Sequence, residues 1–153
     1  MVGKPLPLLA VAAVVSMITA GCGRAVMVTP PEVSDAVGDQ CERASALLPG
    51  SLAAEARIST MPDPTLTAAW GAPAIVWRCG VAAPQSYNRT SQLVTVDGVE
   101  WYPEQLSAGT RFTAVAAEPM TELTVPAHYA NAAGVLAELQ SAIAGPDGAA
   151  APQ

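Results

Sequence analysis

The stretch "LVTVDGVEWY" (93–102) constrains the fold more than any other part of the chain. Asp97-Gly98 stands between two β-rich runs, and such a pair joins antiparallel strands through a two-residue type I′ turn. The turn sets the register. Val96 faces Val99, Val94 faces Trp101 and Thr95 faces Glu100. Side chains alternate along a strand, so the first two pairs make one apolar face and the third pair the opposite one. A sheet with an apolar face needs a second layer to cover it.

The neighbouring segments supply more strands. "RFTAVAAEPMTELTV" (111–125) predicts a second hairpin, with Ala116 opposite Thr121 and a four-residue connection around Pro119. That register gathers Phe112, Ala114, Leu123 and Val125 on one side. "AIVWRC" (74–79) is β-branched and aromatic, and alternation puts Ile75, Trp77 and Cys79 on its inner face. Residues 50–73 hold several prolines and read as an irregular loop, with a helical turn expected at Ala53–Arg57.

Two helices complete the pattern. One is predicted from Asp35 to Leu48, capped by Ser34 or Asp35 and stopped by Pro49-Gly50, with Val37, Cys41, Ala44 and Leu48 on its inner face. The other is predicted from Ala132 to Ala144, with Asn131 as its cap and Val135, Leu136, Leu139 and Ile143 as its buried stripe. The expected architecture is α+β, a two-layer sandwich in which an antiparallel sheet of about five strands carries two helices on one face. It forms a single domain over 34–144. "GPDGAAAPQ" (145–153) lacks apolar periodicity and reads as a disordered tail.

The N-terminus addresses the chain. Lys4 precedes an apolar run from Leu6 to Gly21 that is shorter than the roughly 20 residues a membrane-crossing helix needs. It has the form of a signal peptide over 1–21. Thr19-Ala20-Gly21-Cys22 resembles a bacterial lipobox, with Thr19 where Leu is most usual. Cleavage before Cys22 would make it the first residue, carrying diacylglycerol and fatty acid on a tether over 22–33. Ordinary secretory cleavage near Ala20 and an uncleaved anchor are the alternatives. All three put the body of the protein outside the cytoplasm.

The chain has three cysteines, an odd number that asks for an explanation in an exported protein. With Cys22 acylated, Cys41 and Cys79 remain. They pair in an oxidising compartment, or they stay as two buried thiols. A bridge would pin the first helix to the sheet.

Charge and motifs exclude several functions. The 153 residues carry a formal charge of −6, and without residues 1–21 six arginines face 13 carboxylates. Such a chain has no cationic cluster to displace counterions from nucleic acid. It has one histidine, His128, and no G-x-S-x-G elbow, C-x-x-C, Walker A or G-x-G-x-x-G pattern. No catalytic residue, metal site or cofactor is therefore assigned. Asn88-Arg89-Thr90 forms a glycosylation sequon, which has meaning only on a eukaryotic secretory route. The carboxylate pairs Glu100 with Glu104 and Asp63 with Glu55 read as solvated surface. Trp77 and Trp101 fall on inner faces, which leaves Trp70 as the one aromatic candidate for ligand contact.

"AAWGAPAIVWRCGVAAP" (68–84), "SQLVTVDGVEWYPEQL" (91–106), "TRFTAV" (110–115) and "ELTVPAHYA" (122–130) together resemble the actinobacterial domain-of-unknown-function family 3515. The likeness covers about residues 30–144. It implies a small exported or lipoprotein chain with cysteines at the positions of Cys41 and Cys79, and it implies no catalytic residue. The expected function is a non-enzymatic binding or accessory module, anchored in the membrane through acylated Cys22, with an envelope protein or cell-wall component as partner. The alternative is a hydrolase-like envelope enzyme using acidic residues and Trp70 in the 55–73 loop. A structural subunit of a membrane complex, marked by an exposed apolar patch, is a third reading.

Overall fold

The computed structural model describes residues 25–140. The expected signal peptide, Cys22 and the tail over 145–153 lie outside these. Ten strands and two helices follow in the order β1 (Val26–Met27), α1 (Asp35–Leu47), β2 (Ser51–Leu52), β3 (Glu55–Ile58), β4 (Thr60–Met61), β5 (Thr67–Trp70), β6 (Ile75–Cys79), β7 (Val94–Val96), β8 (Val99–Leu106), β9 (Gly109–Ala114), β10 (Thr121–Pro126) and α2 (Ala132–Glu138).

Eight strands form one antiparallel sheet in the order β2-β3-β5-β6-β10-β9-β8-β7, and β1 pairs with β4 in a small parallel ribbon. The class is α+β as expected, but the main sheet has eight strands rather than five. The three extra strands all lie in one stretch. The 50–73 stretch is not an irregular loop, since it contributes β2, β3 and β5. The expected helical turn at Ala53–Arg57 is instead a tight hairpin, in which Ala53 and Ala54 take φ of 52° and 65°. Alanine seldom occupies such a turn, so its composition carried no signal. β8 also runs beyond the expected hairpin, through Pro103 to Leu106. Past Trp101 that strand has β9 alone as a neighbour, the edge setting in which proline is found. The two expected hairpins are thus parts of one meander from β7 to β10.

The β7–β8 register is as expected: Val96 faces Val99, Thr95 faces Glu100 and Val94 faces Trp101. Val94 is nevertheless 41% exposed, because β7 is the last strand of the sheet. In the second hairpin Thr121 faces Ala114, not Ala116, and the connection has six residues rather than four. A slip of two preserves facing, so Phe112, Ala114, Leu123 and Val125 still turn to the core. Between β8 and β9 the turn ends at Gly109, where any side chain would run into the Val125 carbonyl oxygen.

One apolar core joins Trp70, Ile75, Trp77, Cys79, Trp101, Phe112, Ala114 and Leu123 on the inner sheet face to both helices. From α1 come Cys41 and the capping Leu48, and from α2 come Val135, Leu136 and Leu139. Asn131 caps α2 by accepting from the Gly134 N–H at 3.1 Å. This helix ends at Glu138, and Ile143 lies outside the described residues. Cys41 and Cys79 form a disulfide that ties α1 to β6.

The ribbon covers part of the outer face. Thr60 turns inward and is bonded to Thr67 on β5, while Met27 and Met61 turn outward. β1 lies within the stretch expected to be a tether, so the packed structure reaches back at least to Val26.

Candidate functional site

The strand order brings the charged outer side chains of four strands together. Alternation that buries Trp77 and Cys79 turns Arg78 outward, and the same rule turns out Glu122 on β10, Arg111 on β9 and Glu104 on β8. Arg78 stands opposite Glu122, and Arg111 stands opposite Glu104. The Arg78 Nε donates to Glu122 Oε1 at 2.7 Å, and its Nη1 donates to the Thr29 carbonyl at 3.2 Å. Arg111 is held more loosely. Its Nε lies 3.7 Å from Glu122 Oε2 and its Nη1 lies 3.9 Å from Glu104 Oε2, both beyond hydrogen-bonding distance.

These four side chains floor an open groove of about 780 Å³. Pro31 and Glu32 wall one side, and the segment from Gly80 to Ser86 walls the other. Ser86 Oγ donates to Glu104 Oε1 at 3.0 Å, and the rings of Tyr87 and Tyr102 meet at 5.4 Å, so the second wall is fastened to β8. Glu122 is buried beneath the two guanidinium groups. The Arg111 Nε is shielded from solvent and has no hydrogen-bond partner among the described residues. A buried donor left open carries a cost of about 1–3 kcal/mol.

Of the residues weighed from the sequence, Glu104 lies in this groove and the others fall elsewhere. Trp70 is fully buried in the core; its indole N–H donates to the Pro49 carbonyl at 3.0 Å, and the Arg57 guanidinium lies over its ring. It anchors the end of α1 and presents no face to a ligand. Asp63 accepts from the Thr65 hydroxyl and from the Thr65 and Leu66 N–H groups, forming a turn. The Thr65 hydroxyl bond holds its carboxyl below the usual range against a smaller opposing effect of burial. Glu55 lies near Tyr129, whose phenol is pushed up by burial first and by that carboxylate second. Glu104 is engaged by Arg111 and Ser86, whereas Glu100 stands four residues away along the same strand. His128 packs edge-on against Tyr129. Among the described residues no group of three or more His, Cys, Asp or Glu side chains is placed to hold a metal ion. Cys22 lies outside the described residues.

Arg78, Arg111 and Glu122 were not singled out from the sequence, and Glu104 was read there as solvated surface. The signal was present in the outward positions of "IVWRC", "TRFTA" and "TELTV". Knowing that these strands are neighbours required the topology.

Fold and site together define a small, disulfide-pinned α+β protein with a charged groove on the face away from its helices. The chain belongs to the family described as Protein of unknown function (DUF3515), whose model matches residues 5–150. No curated protein and no solved structure matches it.

Proposed function

We propose that this protein is a lipid-anchored cell-envelope binding module without catalytic machinery. Acylated Cys22 holds it to the membrane, and the groove over Arg78, Arg111 and Glu122 receives an envelope protein or cell-wall component bearing hydrogen-bond acceptors. The Cys41–Cys79 bridge supports an oxidising compartment and leaves Cys22, directly after Ala20-Gly21, as the unpaired thiol. The observation that carries the binding role is the Arg111 guanidinium, which lines the groove and has Glu122 and Glu104 no nearer than 3.7 and 3.9 Å.

The hydrolase-like alternative needed acidic residues and Trp70 lining a cleft over 55–73. A cleft of about 410 Å³ does lie over that stretch, but Arg57, Ser59, Thr60 and Thr67 are its polar lining, with no carboxylate, and Trp70 is buried away from it, so the acidic chemistry that reading needs is missing. The binding role is tested by crosslinking capture from envelope extracts, with the wild-type protein and Arg111→Ala in parallel. A partner recovered by wild type and lost by about ten-fold in the variant, at unchanged circular dichroism, is the expected outcome. Equal recovery by both overturns the assignment of the groove.

A further inference from the structure

The geometry points to the β1–β4 ribbon as the surface by which this domain lies on the bilayer, with Met27 and Met61 entering the membrane interface. The inference rests on acylation of Cys22. In the parallel register Met27 stands beside Met61, and both turn away from the protein. They are 73% and 52% exposed, the two most exposed large apolar side chains among the described residues. The other ladder pair, Val26 and Thr60, turns toward the protein, where buried Thr60 is hydrogen-bonded to Thr67, so the methionine pair alone forms the outer side.

Covalent chain length says what covers that outer side. Four Cα steps separate Cys22 from Val26, the first residue of β1, and they span at most about 14 Å. An acylated cysteine sits at headgroup level, and each headgroup layer is only about 5–8 Å deep. The ribbon is therefore the part of the domain held closest to the bilayer. Two unbranched, polarizable thioethers suit an irregular lipid boundary. The chain's net negative charge gives anionic lipid no other reason to hold this face.

Methionine oxidation reads the contact directly. Full-length acylated protein in phosphatidylcholine/phosphatidylglycerol vesicles is exposed to peroxide beside Cys22→Ser protein with the same vesicles and without them. Free methionine serves as the internal standard, and fatty-acid labelling of Cys22 is scored on the same sample. The expected result is oxidation of both Met27 and Met61 slowed at least about five-fold on the vesicles, in the acylated protein only. Unslowed oxidation with Cys22 labelled overturns this inference and leaves the anchor standing. Protection of the Cys22→Ser protein without vesicles also overturns it, because a second copy or protein then covers the pair. Absence of label removes the anchor and this inference with it.

Discussion

Ala54 shows how a single residue carries a cost that composition hides. Its φ of 65° is a conformation that an alanine adopts only at a penalty, and its side chain is exposed. Ala54→Gly should therefore raise stability by up to about 1 kcal/mol, read as a shift in the urea midpoint. Gly109 is the converse case. A methyl group there meets the backbone of Val125 and Pro126, so Gly109→Ala should destabilise by about 1–3 kcal/mol in the same measurement. Asp63 gives a pH signature. Its depressed carboxyl contributes stability that is full above the unfolded value near 4 and disappears as pH falls through the lower folded value. Asp63→Asn should flatten that part of the acid unfolding profile. Trp70 was legible in the sequence as an aromatic but not as a core residue. Its burial follows from the β5–β6 register, which sets it opposite Ile75 on the inner face of the sheet.

Among the elements, the β7–β8 hairpin was read in register, the β9–β10 hairpin was found two residues out of register, and the β2–β3 hairpin was missed. The β7–β8 hairpin follows from Asp97-Gly98, where Asp97 and Gly98 take φ of 47° and 86°. The β2–β3 hairpin uses the same backbone with two alanines, so nothing local announced it. Both helices were found because a 3.6-residue stripe and a cap are local properties, and α1 ends within one residue of expectation. The disulfide joins two of these elements across 38 residues. Replacing Cys41 and Cys79 together with alanine should lower unfolding free energy by about 3–4 kcal/mol, and reductant should then have no further effect.

For the molecule as a whole, the decisive arrangement is that β6 lies between β5 and β10, with helices on one side of the sheet and the ribbon and groove on the other. That arrangement sets Arg78 against Glu122 and leaves Arg111 only partly engaged. The ribbon, which begins four residues after Cys22, leaves Met27 and Met61 exposed. At this scale the proposed anchor predicts that Cys22→Ser takes up no labelled fatty acid and leaves the membrane fraction. Wild-type protein without label would refute it. The sequence by itself determined which side of each recognised strand and helix is apolar, because alternation and helical periodicity are set by the backbone over a few residues. Only the tertiary structure decided which strands beyond the two hairpins are neighbours, and so which outward charges share one groove. Pairing partners are selected by the closing of a common core across long stretches of chain, and no local pattern encodes that choice.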